Sequence, residues 1–310
     1  MDSNLPNQAE SKSMTYLAQN PIFVTGATGN VGRNVVSILS DSGFHVRALT
    51  RNPDAAGLPD SVEVVRGDLT NPSALESSLE GVDSVFLMMR AFSAPIAPIV
   101  ELLRKRTRRI VFLSSSAIQD ELPVQTNPIG KVHLEIEEEI KKTGQEWTFL
   151  RPGAFAANAL TWWAPQLRSG DVLRWPYPAA AWAPIHERDI AAVAVRALTE
   201  DGHAGKRLYL TGGEVLTQAQ QLHTIGEAIN RALRYEELPP DDARRELRAS
   251  LPPFVVDRLL DLWAGMVEKP APITQTVEEI TGSSPRTFRQ WALDHAGDFQ
   301  TENEVGNGQR

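Results

Sequence analysis

Three glycines at three-residue spacing lie between a short apolar run and a helical pattern near the beginning of the chain. They are Gly26, Gly29 and Gly32. The first permits a tight turn, the second allows the backbone to approach a pyrophosphate, and the third allows a helix to pack closely on a sheet. The N–H groups at the start of that helix would then face an anion. Glycine-rich turns also occur in ordinary loops, but this context favours a dinucleotide site.

The elements around this turn indicate an α/β fold. After the glycines, Val31, Val35, Ile38 and Leu39 follow helical spacing. Along the chain, short apolar runs that predict strands alternate with longer helical patterns. The predicted strands are 22–25, 45–49, 62–66, 84–88, 109–113, 147–150 and 207–210. Such alternation predicts a parallel sheet with helices on both faces.

Two stretches carry a family resemblance. The turn TGATGNVG at 25–32, and Arg151-Pro152-Gly153 after the sixth predicted strand, resemble the atypical short-chain dehydrogenase/reductases, in particular the NmrA-like group. The similarity implies a doubly wound parallel Rossmann sheet with a smaller, mostly helical C-terminal substrate part. We therefore expect a disordered tail at 1–19, an NADP-binding core at 20–155, a substrate-binding part at 156–299 with strands that return to the sheet, and a disordered tail at 300–310.

Residues after the second and third predicted strands bear on the choice of cofactor. Arg51 stands where an NAD-specific fold would place Asp or Glu, and its planar cation suits a 2′-phosphate. We therefore expect NADP(H), with a solvated loop arginine as the alternative. Asp68 could accept a hydrogen bond from the adenine amino group while Leu69 packs on the ring, as the resemblance also implies. Alternatively, Asp68 caps the loop before a helix, and the two roles are compatible.

The carboxyl ends of parallel strands are where an open α/β sheet binds its ligand. We expect the residues after the fourth and fifth strands to line the cofactor cleft, although Met88 and Met89 could instead belong to the core. The resemblance implies that the backbone from Pro152 to Phe155 contacts the nicotinamide amide and that Phe155 covers its ring. The expected cofactor-binding residues are Gly26, Thr28, Gly29, Asn30, Val31, Arg51, Asp68, Leu69, Met88, Met89, Arg90, Ser114, Lys131, Pro152, Ala154 and Phe155.

The resemblance also implies catalytic residues after the fifth strand and on the next helix. Ser116 matches the serine that donates a hydrogen bond to the substrate oxygen, and Lys131 matches the lysine that holds the nicotinamide ribose. The tyrosine expected four residues before the lysine is replaced by Asn127, which cannot donate a proton as a tyrosine of lowered pKa does. NmrA-like proteins commonly lack this tyrosine too. Alternatively, Lys131 is a surface charge that pairs with Glu135.

Tryptophans and prolines are concentrated at 158–186, a region with little regular period. Large aromatic side chains with a few polar groups are typical of a small-molecule pocket, which we favour over a core beneath a lid. The candidate substrate residues are Phe92, Phe155, Asn158, Trp162, Trp163, Trp175 and His186. His186 could deliver a proton near neutral pH, although a structural histidine is the favoured interpretation.

Composition argues against several classes of function. The 310-residue chain has no cysteine, which excludes disulfides, thiolate metal sites and a cysteine nucleophile. The histidines lack metal-site spacing, so no metal is expected. A formal net charge of -8 argues against nucleic-acid binding, and the basic run at 104–109 is interpreted as a helix end and loop. With neither a membrane-spanning run nor a secretion signal, we expect a cytoplasmic monomer or homodimer that does not engage a membrane.

Two functional hypotheses follow from these residues. The first is an NADPH-dependent reductase that transfers a hydride to a flat aromatic, quinone-like or conjugated carbonyl compound without the usual tyrosine. The second is a non-catalytic NADP(H)-sensing regulator that acts through a protein partner. The missing tyrosine favours the regulator. The aromatic stretch favours the enzyme, because a sensor does not need a substrate pocket, and the enzyme is the preferred hypothesis.

Overall fold

The computed structural model describes residues 20–89, 96–249 and 251–300. The chain forms two compact units. The first consists of Met1–Pro152 and Glu187–Tyr209, and the second of Gly153–His186 and Leu210–Arg310. The division differs from the predicted boundary after residue 155, because a later helix and most of a later strand belong with the first unit.

A parallel sheet organises the first unit. Its strands are β1 (Ile22–Val24), β2 (Val46–Thr50), β3 (Glu63–Arg66), β4 (Ser84–Leu87), β5 (Arg109–Leu113), β6 (Glu146–Pro152) and β9 (Lys206–Leu210). Their order is β3-β2-β1-β4-β5-β6-β9, and β1 to β6 are joined by parallel pairings. This topology confirms the predicted doubly wound Rossmann sheet, with β9 at the edge beside β6.

Helices pack in pairs around this sheet. The first unit contains α1 (Asn30–Asp41), α2 (Ile96–Arg106), α3 (Pro128–Lys141) and α6 (Glu187–Thr199). Helix α1 packs against α6, and α2 packs against α3. The residues of β4 and β5 are all buried, as expected for strands covered on both faces. The helix expected after the loop at Asp68 is a short 3-10 turn at Pro72–Leu75 instead of an α-helix.

The second unit combines small sheets with helices. Strand β7 (Val172–Trp175) pairs in parallel with β11 (Arg234–Glu237), and β8 (Ala181–Trp182) pairs in antiparallel with β10 (Leu216–Thr217). Its helices are α4 (Asn158–Trp162), α5 (Ala164–Leu167), α7 (Gln218–Ala228), α8 (Pro240–Leu247), α9 (Pro253–Glu268), α10 (Thr276–Thr281) and α11 (Phe288–Asp294). Regular structure therefore occurs within 158–186, in elements of five residues or fewer that are too short for a period to appear.

A helix cap and three buried tryptophans stabilise the second unit. Thr217 caps α7 in a capping box with Gln220. Three large side chains, Trp163, Trp263 and Trp291, are almost completely buried in its core. A single well-formed apolar core of this kind supplies most of the stabilisation that a small, helix-rich unit needs.

Candidate active site

The glycine turn has the geometry that the sequence predicted. Gly26 has a φ of +61°, and a Cβ added there would lie 2.2 Å from the Met88 Cε. A Cβ at Gly32 would lie 2.1 Å from the Gly26 carbonyl oxygen, so helix α1 packs directly on the turn. At Gly29 the nearest atom would be the same oxygen, at 3.3 Å. Gly26 therefore disfavours a side chain through its positive φ, and Gly32 does so through overlap with backbone, whereas a Cβ at Gly29 would make only a slightly tight contact.

The N-terminus of α1 presents unpaired backbone donors. Gly29 is its N-cap residue, and no side chain caps the helix. Among the described residues, the N–H groups of Asn30, Val31 and Gly32 donate no backbone hydrogen bond. The first turn contains no acidic residue, and the Thr28 side chain is exposed. This arrangement fits a pyrophosphate, and because the Val31 side chain is buried, Val31 would contribute only its N–H group.

Thr25 was missed by the sequence analysis as a site residue, and it fixes the ends of two strands. Its hydroxyl lies 3.1 Å from the carbonyl oxygens of both Phe86 and Met88, and it accepts a hydrogen bond of 2.7 Å from the Met88 N–H. The buried threonine thus ties the glycine turn to the residues after β4. Met88 is half-buried, whereas Met89 belongs to the core, as its alternative interpretation stated.

Arg51 follows the end of β2, and its charge is among the causes that lower the pKa of Asp68. Arg51 is exposed, and its guanidinium makes no hydrogen bond or ion pair in the described part of the chain. Its backbone carbonyl accepts a hydrogen bond from Arg66 at 3.1 Å, which holds the strand end. The exposed guanidinium would fit a 2′-phosphate, and this contact stays a prediction.

Asp68 and Leu69 follow β3 in a tight loop. The carboxylate of Asp68 accepts a hydrogen bond from the Thr70 N–H at 2.8 Å, and this bond holds the Asp68 pKa below its ordinary value. The loop-capping alternative for Asp68 is therefore present in the structure. Leu69 is half-buried against the core of the first unit. The adenine contacts of both residues stay predictions.

Ser116 and Lys131 flank a close backbone contact. A Cβ at Gly130 would lie 2.4 Å from the Ala117 carbonyl oxygen, so α3 packs directly against the loop after β5. Ser116 precedes Ala117 and Lys131 follows Gly130, and both predicted catalytic residues are exposed. The Ser116 N–H also donates to the carbonyl of Pro152 at 3.1 Å, which joins this loop to the end of β6.

Helix α3 explains the residue found in place of the expected tyrosine. Asn127 is its N-cap, and the Asn127 side chain accepts a hydrogen bond from the Ile129 N–H at 2.9 Å. Lys131 lies beside an open cavity that Pro128 and Val132 also line. No ion pair between Lys131 and Glu135 occurs within the described ranges, so that alternative is not supported.

Ser114 is less accessible than the sequence suggested. It is buried, and its hydroxyl donates to Glu137 at 2.5 Å. Only the backbone of Ser114 is left for the predicted cofactor contact. Two further predicted residues, Arg90 and Phe92, lie outside the described residues.

The second unit contains the remaining candidates. Phe155 is half-buried and pairs with Ile185 in an isolated parallel bridge, while Ala154 accepts a hydrogen bond from the Ile185 N–H at 3.0 Å. Asn158 is half-buried at the first position of α4. These residues are thus held by backbone pairing within the second unit, and their contacts with a cofactor or substrate stay predictions.

Three tryptophans form an aromatic cluster beside a cavity. Trp162 and Trp175 stack with ring centroids 6.2 Å apart, and Trp263 packs 5.4 Å from each. Trp162 is half-buried, Trp175 is buried, and both line a cavity of about 410 Å³ within the second unit. Trp263 was missed because it lies far along the chain in α9. Trp163, by contrast, is 1% exposed and belongs to the core.

His186 is a buried histidine with an acidic neighbour. It is 1% exposed, and its Nε2 lies 3.3 Å from Asp294. The His295 ring is 6.4 Å away. This environment favours the structural role over proton delivery.

Two wider properties concern metals and membranes. No group of three His, Asp or Glu side chains suited to a metal ion occurs in the described ranges. Among the same residues, every helix is too short or too polar to cross a bilayer.

Comparison with known proteins decides the family. Residues 26–201, more than half of the chain, match the family described as NAD(P)H-binding. The chain belongs to this NAD(P)H-binding family. It is 38% identical to the (4-alkanoyl-5-oxo-2,5-dihydrofuran-3-yl)methyl phosphate reductase of Streptomyces griseus, over 91% of this chain and all of that protein.

Two further relatives extend the comparison. The NAD(P)H azoreductase of Xenophilus azovorans is 30% identical over 90% of this chain and 99% of that protein. The NADPH-dependent quinone oxidoreductase of Escherichia coli, whose structure was solved with NADPH, is 25% identical with a TM-score of 0.72, covering 88% of this chain and 99% of that one. This reductase therefore uses NADP(H), as the sequence predicted.

Proposed function

We propose that the protein uses NADPH to reduce a flat conjugated acceptor of the quinone, azo or unsaturated carbonyl type. The compounds named for the relatives are a quinone, an azo compound and an alkanoyl dihydrofuranone that carries a methyl phosphate group. All three have a multiple bond conjugated to an aromatic or electron-withdrawing group, and such bonds accept hydride readily. The non-catalytic regulator is the second candidate, and the missing tyrosine is the observation that favours it.

The observation that carries this proposal is the aromatic wall of the cavity in the second unit. Trp162 and Trp175 present a stacked pair of indoles, and Trp263 supports them from behind. Six of the other ten lining residues are apolar, and the remaining four are polar. The apolar ones are Pro165, Pro176, Leu238, Ala243, Leu247 and Leu251, and the polar ones are Thr161, Gln166, Arg174 and Glu246. Apolar cavities with aromatic walls and few polar groups suit flat organic molecules of this size.

The residues of the first unit supply orientation and charge stabilisation. Bound NADPH supplies the hydride. Lys131 holds the nicotinamide ribose hydroxyls, and the exposed hydroxyl of Ser116 donates a hydrogen bond to the acceptor oxygen, where negative charge develops. Since Asn127 provides no acidic proton, water delivers the proton that completes the product. A quinone gains one hydride and one proton in this way and becomes a hydroquinone.

The test follows NADPH absorbance with a naphthoquinone, an azo dye and an alkanoyl dihydrofuranone as acceptors. We expect turnover of at least one acceptor, and we expect Trp162→Leu to lower kcat/KM by about tenfold, because the wall loses the face of one aromatic ring. Trp147→Leu is the matched control. Trp147 is a half-buried tryptophan that stacks on Phe149 in the first unit, and its loss should leave kcat/KM nearly unchanged.

Two results would contradict this proposal. Tight binding of NADPH without oxidation by any acceptor would favour the regulator. If both variants are folded and lose kcat/KM equally, the cavity lined by Trp162 does not bind the acceptor.

A further inference from the structure

A buried arginine holds both ends of the loop that carries Ser116. Arg151 lies in β6 and is completely buried. Its Nε and Nη2 donate to the two carboxylate oxygens of Glu137 at 2.9 and 2.6 Å, and its Nη1 donates to Asp120 at 2.7 Å. Glu137 in turn accepts the hydroxyl of Ser114. The loop is therefore fixed at residue 114 through Glu137 and at residue 120 directly.

The interior of this loop is also ordered by local hydrogen bonds. The Ser115 hydroxyl accepts a hydrogen bond from the Ala117 N–H at 3.1 Å, and the Ser116 N–H donates to Pro152, the residue after Arg151. Because both ends and the middle are tied, the Ser116 side chain has a defined starting position.

A tyrosine closes this network at its outer edge. The Tyr209 hydroxyl, on β9, donates to Asp120 at 2.7 Å and accepts from Arg151 at 2.5 Å. The Arg151 guanidinium lies 5.4 Å from the centre of the Tyr209 ring. Burial and the hydrogen bond to Asp120 raise the pKa of Tyr209, which keeps its hydroxyl protonated and able to donate.

We propose that Arg151 and Tyr209 are positioning residues for the reduction, acting through Ser116 without touching the substrate. Together they hold the 114–120 loop so that the Ser116 hydroxyl is already aimed at the acceptor oxygen. A donor fixed in advance stabilises developing charge without the cost of reorientation during the reaction. This inference rests on the proposed function, in which Ser116 contacts the substrate.

Tyr209→Phe is the most discriminating change, because it removes one hydroxyl and keeps the ring against Arg151. We expect kcat for the naphthoquinone to fall about tenfold while the Kd for NADPH is unchanged, since a small misplacement of a catalytic donor is costly. The matched control is Thr199→Val. The buried Thr199 hydroxyl donates to the Val195 carbonyl at 2.8 Å within α6 of the first unit, and its loss should leave kcat unchanged.

A double-mutant cycle separates positioning from general stabilisation. If Tyr209 acts through Ser116, Tyr209→Phe should change kcat by less than about twofold in a Ser116→Ala background. A full tenfold loss in that background, or no loss in the wild-type background, would overturn the proposal.

Hydrogen exchange supplies a readout that does not depend on turnover. Tyr209→Phe should accelerate amide exchange at 114–120, and unchanged exchange there would also overturn the positioning role. A wild-type protein that binds NADPH but reduces no acceptor would instead point to failure of the proposed function itself.

Discussion

Adding one methyl group at Gly32 should separate the glycine turn from helix α1. The added Cβ would lie 2.1 Å from the Gly26 carbonyl oxygen and 2.7 Å from the Gly26 carbonyl carbon. Ordinary contact begins at 3.4 Å, so the oxygen and the Cβ must move apart by 1.3 Å. Both partners are backbone, and no side chain can rotate away to relieve the overlap. The change must displace the turn or the first turn of the helix.

The expected magnitude differs between stability and cofactor binding. Alanine is favoured over glycine in a helix by about 1 kcal/mol, which offsets part of an overpacking cost of roughly 1–3 kcal/mol. The free energy of unfolding should therefore fall by no more than about 2 kcal/mol. The displaced N–H groups lose charged hydrogen bonds worth about 1.5–3 kcal/mol each. Losing one of them corresponds to an increase of at least about tenfold in the Kd for NADPH.

Calorimetric titration with NADPH and chemical denaturation measure the two effects on the same preparations. Gly265→Ala is the matched control, because Gly265 lies in α9 and an added Cβ there would meet no atom within 4 Å. It should raise the free energy of unfolding by about 0.5–1 kcal/mol and leave the Kd unchanged. If folded Gly32→Ala protein binds NADPH as tightly as the wild type, the close-packing argument for this turn is wrong.

Further predictions concern the cofactor, helix α3 and the buried network. Arg51→Ala should raise the Kd for NADPH by at least about tenfold and change that for NADH by less than about twofold in titrations, and equal effects would refute the 2′-phosphate assignment. Asn127→Ala should lower the free energy of unfolding by about 1 kcal/mol in denaturant through loss of the cap. Burial raises the pKa of Asp120, but the hydrogen bonds from Arg151 and Tyr209 lower it by a larger amount, so the pKa in the folded protein lies below its ordinary value. The ionised carboxylate therefore stabilises the protein above the pKa that Asp120 has in the unfolded chain, and this stabilisation is lost as the pH falls through the pKa of the folded state. Asp120→Asn should remove this contribution to the pH dependence of the free energy of unfolding, as measured in denaturant at acidic pH.

Local steric rules made the cofactor turn predictable from sequence. Gly26 is needed for a positive φ and Gly32 for close contact between the helix and the turn, and both requirements arise within a few residues of the chain. The predicted strand 109–113 coincides with β5, whereas the other six predicted strands differ from the observed ones at one or both ends. Strand ends depend on pairing with neighbours, which a single sequence does not describe.

The buried network could not be predicted in the same way. Glu137 is followed by Glu138 and Glu139, and a run of acidic residues on a helix is usually a solvated face. Only Glu137 is fully buried, because it shares the helical face of Ile136 and Ile140 that packs inside the first unit. Helical phase could have identified Glu137 as a candidate for burial, but its partner Arg151 becomes evident only when β6 is placed beside α3.

The N-cap residue of α3 stands where the tyrosine proton donor was expected, and its presence limits the class of substrate that the enzyme can reduce. Asn127 satisfies a backbone N–H at the point where α3 begins, a role that a tyrosine side chain does not fill. A simple ketone would yield an alkoxide about as basic as hydroxide and would need a strong proton donor at this position. A reduced quinone carries a phenolic oxygen, with a pKa of about 10 like that of tyrosine, and can take its proton from water. Loss of the tyrosine is therefore tolerable for a conjugated acceptor and costly for a simple ketone, so the helix cap and the aromatic cavity favour the same class of substrate.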